Sequence, residues 1–153
     1  MPKGKILLAE DNHDDELLTV HALSRQIAGV DIIVAHTGIE VMDYLCGTGA
    51  FAGRDVVDLP NVLLLDLKMP LMDGLETLKR IRSTAHTRLL PVVILTSSDE
   101  QRDRVDSYRL GANSYVRKPI KYDAFLDAAS QLGMYWLTVN QSPPPPPRAA
   151  AAP

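Results

Sequence analysis

Four short runs of nearly continuous apolar residues do most to limit how this chain can fold. They read KILLAED, DIIVAHT, NVLLLDL and PVVILTSSD, and a weaker fifth run reads SYVRKP. A strand that is apolar on both faces belongs in a parallel sheet covered on both sides, because a sheet with one wet face shows alternating polar residues. The runs therefore predict five parallel strands, most of them buried.

Between these runs, apolar residues recur at spacings of three and four, which is the repeat of an amphipathic helix. The five stripes span residues 17–27, 39–46, 75–81, 105–108 and 125–136. Gly111 is expected to end the fourth helix from the C′ position. Strands alternating with helices indicate βαβ units and an open α/β sheet with helices on both faces. A closed barrel needs eight units and about 250 residues, so a chain of 153 residues excludes it.

Composition narrows the classes of function. The net charge of −3 gives no basic surface for nucleic acid, so we expect no DNA partner. Cys46 is the only cysteine, which excludes an intramolecular disulfide and a cysteine metal cluster and fits a reducing compartment. No segment approaches the roughly 18 uninterrupted apolar residues that span a bilayer. We therefore expect a cytoplasmic protein without membrane contact.

The chain is expected to divide into a folded unit over residues 1–140 and a tail over residues 141–153. The tail reads QSPPPPPRAAAAP, and a proline run favours an extended polyproline II conformation. We expect it to be flexible and to lack packed structure. Residues 47–60, GTGAFAGRDVVDLP, are long for a connection between a helix and a strand and predict a surface loop.

Polar residues follow the predicted strands at the carboxyl edge, where open α/β sheets place their sites. In chain order they are Glu10 and Asp11, then Asp66, then Thr96 and Ser97, then Lys118 and Pro119. Asp66 ends an apolar run, and a carboxylate in such a place needs a partner. Each residue alone has an ordinary explanation, such as capping a helix. Together they predict one site, because complementary groups would meet at the same edge.

Three clustered carboxylates repel one another unless cations are present. Lys118 would supply one positive charge, and Mg²⁺ bound through oxygen atoms would supply two more. The same cations would hold the oxygens of a phosphoryl group. Asp66 is therefore predicted to attack phosphorus in line and form an acyl phosphate, with Thr96 donating a hydrogen bond to a phosphoryl oxygen.

The motifs that carry this chemistry resemble those of the receiver domain of two-component response regulators. They are LLAEDN, LLLDLKMPLMDG, VVILTSS and GANSYVRKP, with Thr96 lying 30 residues after Asp66 and Lys118 lying 22 after Thr96. The resemblance covers residues 5 to about 132. It implies a CheY-like, flavodoxin-like (βα)₅ fold, doubly wound around a five-stranded parallel sheet with strand order 2-1-3-4-5.

The resemblance also implies a role for each matching residue. Asp66 would be the phosphoacceptor, and Mg²⁺, or Mn²⁺ or Ca²⁺ in its place, would be held by Glu10, Asp11, Asp66 and the backbone carbonyl of Lys68. Thr96 and Lys118 would bind the phosphoryl group, and the bond between Lys118 and Pro119 would be cis. Thr96 and Tyr115 would form a switch, although Tyr115 is equally well explained as a partly buried strand aromatic. Glu10 stands where Asp is more common in the family, which lengthens the reach to metal-bound water.

The long loop and the ending YWLTVNQSP resemble a subgroup of single-domain regulators paired with bacterial phytochromes. That resemblance implies a sensor histidine kinase, a bacteriophytochrome, as phosphodonor, and a homodimer. Its interface would include the fourth and fifth helices, the fifth strand and the C-terminal arm with Tyr135, Trp136, Leu137 and Val139. The alternative is that this apolar extension packs on the core. We expect output by protein contact from a stand-alone receiver.

Four other functions are alternatives to this one. A haloacid dehalogenase-type phosphatase needs an Asp two residues after the nucleophile, where this chain has Lys68. A flavin-binding module needs a hydroxyl-rich loop after the first strand, but EDNHDD is acidic and repels phosphate. A degenerate scaffold is not favoured, because the reactive residues are all present. A phosphorelay intermediate or phosphate sink, passing the phosphoryl group to another protein, stays an open alternative.

Overall fold

The computed structural model describes residues 4–148, in which five strands alternate with five helices. The strands are β1 (Lys5–Ala9), β2 (Asp31–Ala35), β3 (Val62–Leu65), β4 (Val92–Thr96) and β5 (Ser114–Arg117). The helices are α1 (His13–Gln26), α2 (Gly38–Cys46), α3 (Gly74–Ser83), α4 (Gln101–Arg109) and α5 (Tyr122–Met134). A 3₁₀ turn at Gly49–Phe51 lies in the long loop, and a π-helical turn at Tyr135–Val139 follows α5.

The strands form one sheet in the order β2-β1-β3-β4-β5, and every neighbouring pair is parallel. In the register, Ile6 of β1 lies between Ile32 of β2 and Val62 of β3. The predicted fold and strand order are confirmed. Because all the strands run the same way, their carboxyl ends lie along one edge.

The sheet separates two apolar cores, which explains why the strand sequences are apolar at consecutive positions. Leu7 and Leu63 face one core, to which α2 contributes Leu45 and α3 contributes Leu78. The neighbouring residues on the same strands, such as Leu8, face the other core, which α1 and α5 line with residues including Leu23 and Leu132. Consecutive side chains of a strand point to opposite faces, so a strand covered on both sides needs an apolar residue at each position.

Polar side chains fix where three helices begin. Asn12, Thr37 and Asp73 accept hydrogen bonds from backbone amides in the first turns of α1, α2 and α3, at 3.0, 3.1 and 2.9 Å. These caps satisfy donors that have no partner within the helix. Gly111 follows the end of α4 with φ +103°, as predicted for a C′ glycine.

Gly74 allows α3 to begin directly against the end of β3. A Cβ atom there would lie 2.3 Å from the carbonyl oxygen of Asp66 and 2.7 Å from Cα of Leu67. Gly74 also donates its amide hydrogen to the carbonyl of Leu67 at 2.9 Å. Only glycine permits this approach, which fixes the backbone around Asp66.

The apolar extension after α5 is divided between core and surface. Trp136 and Leu137 are half-buried and pack against the second core, as the alternative stated above expects. Their place in a dimer interface stays a prediction. Tyr135 and Val139 remain 46% and 61% exposed. A π-helical turn widens the helix by one residue per turn, so Leu137 packs on the core together with Trp136, the last residue of the stripe predicted from the sequence.

The start of the tail also differs from the expectation of an unpacked segment. Residues 141–148 run against the body of the protein and make side-chain contacts with Asn61 and Asp55. The rest of the predicted tail, residues 149–153, lies outside the described residues. Within residues 4–148, no helix combines the length and apolar character required to cross a membrane.

Candidate functional site

Backbone hydrogen bonds carry the sheet just past the last residues of three strands and so align the polar groups. The amide of Glu10 donates to Ala35 of β2 at 2.9 Å, and the amide of Asp66 donates to Ala9 of β1 at 3.1 Å. The amide of Lys118 donates to the carbonyl of Thr96 at 2.7 Å. Side chains contributed by four strands are thereby held at one edge of the sheet.

The ammonium group of Lys118 joins three carboxylates. Its Nζ donates to Glu10 Oε1 at 2.5 Å, to Asp66 Oδ2 at 2.9 Å and to Asp15 Oδ2 at 2.9 Å. Lys118 is only 6% exposed and Asp66 is 7% exposed. An ammonium group has three N–H donors, and each is used by a different carboxylate. The predicted convergence of Glu10, Asp66 and Lys118 is what the structure contains.

Asp15 is the member of this cluster that the sequence reasoning missed. It lies in the first turn of α1, inside the acidic run Asp14, Asp15 and Glu16. Its neighbour Glu16 instead contacts His36, with 2.7 Å between carboxylate and ring nitrogen. Since three consecutive acids start the helix, the spacing alone gives no reason to select the middle one.

Three carboxylates at this edge are close enough to share a metal ion. One oxygen each from Glu10, Asp11 and Asp66 lie within 4.8 Å of one another. Glu10 is buried, whereas Asp11 is exposed and open to solvent. Oxygen donors of this kind, completed by a carbonyl and by water, suit Mg²⁺. The residues present therefore fit a divalent cation.

Burial and repulsion separate the acidities of the two buried carboxyl groups. Burial and, to a smaller extent, the neighbouring Asp66 raise the pKa of Glu10 to about 8, against the attraction of Lys118. Burial also opposes ionisation of Asp66, but Lys118, Glu10 and the Thr96 hydroxyl outweigh it and lower the pKa of Asp66. At neutral pH the metal-free site therefore keeps a proton on Glu10 and a charge on Asp66.

Lys118 stays positively charged despite its burial. Desolvation alone would lower the pKa of its ammonium group, but hydrogen bonds to Glu10 and Asp15 and the charge of Asp66 raise it above the ordinary 10.5. Lys118 carries a single positive charge and faces several acids, and Asp11 lies close to Glu10 and Asp66. The cluster therefore has a net negative charge. That excess favours an added cation.

The predicted switch residues lie beside the cluster and are connected through Ser98. Thr96 is buried, and its Oγ1 accepts a long hydrogen bond of 3.4 Å from the amide of Ser98. The hydroxyl of half-buried Tyr115 donates to the carbonyl of Ser98 at 3.1 Å, and the Ser98 hydroxyl donates to Asp103 at 2.6 Å. Ser98, which follows β4, therefore contacts both α4 and β5.

The bond between Lys118 and Pro119 differs from the expectation. It is trans, since no peptide bond within residues 4–148 is cis. The trans form is the more stable isomer of most X–Pro bonds by about 0.5–1 kcal/mol. Lys118 reaches all three carboxylates from this backbone, so these contacts form without the cis isomer.

Of the residues predicted to bind a metal, Lys68 contributes to the geometry through its amide. That N–H donates to Asp66 Oδ1 at 3.3 Å, while Oδ2 of the same carboxylate binds Lys118. The two oxygens of Asp66 thus have different partners, and the carboxylate has a defined orientation.

A family model described as the response regulator receiver domain matches residues 6–130. The chain belongs to this receiver family. Receivers are phosphoacceptor domains of two-component signalling, and the strands, helices and acidic cluster described above all lie within or at the border of the matched range.

Curated relatives match the receiver over most of its length. The probable methanogenesis regulatory protein FilR2 of Methanothrix harundinacea is 35% identical, over 90% of this chain and 86% of the relative. Response regulator Rcp1 of Synechocystis is 30% identical, over 89% of this chain and 90% of the relative.

The receiver is similar to the solved structures of several response regulators of phytochromes. The phosphorylated cyanobacterial phytochrome response regulator RcpA superposes with a TM-score of 0.86 at 31% identity, covering 92% of this chain and 99% of RcpA. The bacteriophytochrome response regulator RtBRR has a TM-score of 0.72 at 44% identity, covering 94% and 86%. Rcp1 has been solved in a Mn²⁺-bound form, at a TM-score of 0.85 and 29% identity over 92% and 99%.

We predict that the free energy of unfolding of the metal-free receiver falls as pH rises from about 4.5 to about 8. Between its ordinary pKa of 4.5 and its folded value, Glu10 is protonated in the folded state and ionised in the unfolded state. Folding then binds a proton, so raising the pH destabilises the fold. The shifts of Asp66 and Lys118 act outside this window, below 3.8 and above 10.5.

Urea unfolding in a chelator at several pH values measures this slope. Glu10→Gln should lose it, whereas the matched control Asp14→Asn, which neutralises an exposed acid on α1, should keep it. The comparison of the three proteins isolates the contribution of Glu10. Equal slopes for the wild type and Glu10→Gln would contradict the assignment.

Proposed function

We propose that this chain accepts a phosphoryl group on Asp66 from the phosphohistidine of a sensor histidine kinase, in a reaction that requires Mg²⁺. The phosphorylated form then signals by protein contact. The observation that carries the proposal is the buried Lys118 ammonium that holds Asp66 within a group of acids able to share a cation.

In the proposed reaction, a carboxylate oxygen of Asp66 attacks the phosphorus atom in line. The new O–P bond forms as the N–P bond of phosphohistidine breaks, and the leaving imidazole takes up a proton. Contacts from Lys118 and from the Lys68 amide orient the carboxylate before the attack. Such positioning supplies much of the acceleration in phosphoryl transfer.

Glu10, Asp11, Asp66 and the Lys68 carbonyl would hold the cation, with Mn²⁺ or Ca²⁺ able to replace Mg²⁺. When bound, the cation neutralises charge that develops on the phosphoryl oxygens. Glu10 must first release its proton. The proton is favoured only in the absence of a cation, because it then reduces the repulsion between the carboxylates. The Mn²⁺-bound form of Rcp1 supports this choice of ligand chemistry.

Lys118 and Thr96 are proposed to bind the phosphoryl group once it is on Asp66. Lys118 would exchange one carboxylate for a phosphoryl oxygen, and the Thr96 hydroxyl would donate to another. A shift of Thr96 would displace Ser98, because the Ser98 amide donates a hydrogen bond to Thr96 Oγ1. The Ser98 carbonyl in turn accepts a hydrogen bond from the Tyr115 hydroxyl. We therefore propose Thr96 and Tyr115 as the switch that reports phosphorylation to the face formed by α4 and β5.

The chain is proposed to be a stoichiometric phosphoacceptor rather than a turnover enzyme. Its proposed donor is a bacteriophytochrome kinase, which the names of RcpA and RtBRR support. The proposed compartment is the cytoplasm, in keeping with a single cysteine.

We also propose a homodimer that uses the outer surface of α4, β5 and α5 together with the C-terminal arm. β5 is an edge strand, and exposed backbone edges favour pairing unless they are covered. A cleft between β5 and α5 is lined in part by Val116, Leu132 and Tyr135. Exposed Val139 extends the apolar surface beyond the cleft.

Incubation with Mg²⁺ and acetyl phosphate, followed by intact mass measurement, should add one phosphoryl group to the wild type. Asp66→Asn should remain unmodified, because an amide cannot form the acyl phosphate. Asp14→Asn, which removes an exposed carboxylate in the first turn of α1, should be modified like the wild type. Modification of Asp66→Asn would move the nucleophile to another residue.

A bacteriophytochrome histidine kinase carrying radiolabelled phosphohistidine should lose its label to the wild type and keep it with Asp66→Asn. Transfer should be at least tenfold faster than to an unrelated receiver at equal concentration. If the label stays on the kinase while acetyl phosphate still modifies Asp66, the chain is a phosphoacceptor with a different donor.

Light scattering at micromolar concentration should give about twice the chain mass of 16.8 kDa. Val139→Asp should shift the population to the monomer, because it places a charge within the apolar surface. Leu17→Asp provides the matched control, since Leu17 is 53% exposed on α1. A monomeric wild type, or equal effects of both substitutions, would count against this interface.

A further inference from the structure

The proline run lies at the opposite end of the sheet from the acids. It faces two loops, residues 57–61 and 85–91, that lead into the amino ends of β3 and β4. These loops contribute an apolar surface that includes Leu59, Pro60, Leu89, Leu90 and Pro91. We call the two loops together with Asp55 the proline groove.

One face of the run is directed towards this groove. Pro143 and Pro146 are half-buried, whereas Pro144, Pro145 and Pro147 are exposed. A polyproline II helix has three residues per turn, so residues three apart lie on the same side. The burial pattern has that period, and the contact is therefore made by one side of a polyproline II helix.

Polar contacts fix both ends of the run. The Asn61 side-chain amide donates to Ser142 Oγ at 3.3 Å, and Asn61 is itself held because its Oδ1 accepts from the Lys5 amide at 2.9 Å. Arg148 binds Asp55 through two parallel hydrogen bonds of 3.0 and 2.9 Å. A bidentate pair of this kind selects arginine over lysine by geometry.

The two polar contacts hold the residues that flank the proline run. Arg148 lies six positions after Ser142, which corresponds to about 19 Å in a polyproline II helix. A stiff proline helix loses little conformational entropy on docking, so a few contacts are enough to hold it.

We propose that the proline groove is a recognition site for a polyproline II helix followed by arginine, and that Ser142–Arg148 of the same molecule is its occupant. The connection favours this occupant, because Ser142 follows Asn140 by two residues and Asn140 is held by a backbone hydrogen bond to Tyr135 at 2.8 Å. A segment tethered so closely has a high effective concentration at the groove. The site uses none of the residues around Asp66.

Trypsin cleavage after Arg148 in the full chain tests this docking, because Arg148 bound to Asp55 is shielded from the protease. Pro143→Gly/Pro146→Gly replaces the inward residues, and Pro144→Gly/Pro145→Gly replaces outward residues with the same change in stiffness. We expect the inward pair and Asp55→Asn each to raise the initial cleavage rate about threefold or more, given the size of exposed ion-pair effects. The outward pair should change it less than twofold. Equal rates for the two double variants, or no effect of Asp55→Asn, would overturn the proposal.

Amide NMR shifts of the full chain provide a second readout that does not depend on the protease. The inward pair should move the resonances of residues 55–61 and 85–91 and leave those of β1 in place, whereas the outward pair should move neither set. Both readouts should be independent of protein concentration from about 5 to 200 µM, as expected for a tethered segment. Protection that grows with concentration would assign the groove to the segment of a second copy and overturn the intramolecular assignment.

Discussion

The contact between the Lys118 ammonium group and the carboxylates of Glu10, Asp15 and Asp66 is the interaction on which the rest of the site depends. The charges of Lys118 and Asp66 would be costly to bury alone, and each is stabilised by the groups around it. Breaking a buried pair of this kind costs several times more than the pair contributes in isolation. The cluster of Lys118 and the acids is therefore stable, but it contains fewer positive charges than negative ones.

That shortage is what makes the cluster chemically useful. A proton on Glu10 relieves part of the repulsion in the metal-free state, and a divalent cation relieves more of it once the proton leaves. The arrival of a phosphoryl group brings further negative charge to the same place, where Lys118 and the cation can meet it. The same electrostatic imbalance thus links proton release, metal affinity and the reactivity of Asp66.

The sheet delivers these groups with little help from the loops. Ladder hydrogen bonds extend one residue past β1 and β3, so Glu10 and Asp66 are positioned as if they were still strand residues. Gly74 keeps the backbone close on the far side of Asp66, because any larger residue would strike its carbonyl oxygen. Rigid elements rather than mobile loops therefore set the distances that the proposed chemistry requires.

The sequence predicted the sheet, the order of elements and the meeting of Asp66 with Lys118, because strand periodicity and parallel topology determine which residues share an edge. It did not predict Asp15, since neighbouring acids in the same helical turn are indistinguishable without the helix rotation. The π-helical turn similarly altered which residues after Met134 face the core. The sequence did not predict the contacts of the proline run, because the composition of a segment indicates its stiffness but not the surface against which it packs.

Carbon-13 NMR titration of the side-chain carboxyl groups of Glu10 and Asp66 in the metal-free chain tests the central electrostatic claim most directly. Glu10 should titrate near pH 8 and Asp66 below its ordinary range, so that at neutral pH one group is protonated and the other ionised. Saturating Mg²⁺ should ionise Glu10 without changing the state of Asp66. Titration of both groups near their ordinary values, with no response to Mg²⁺, would contradict the account.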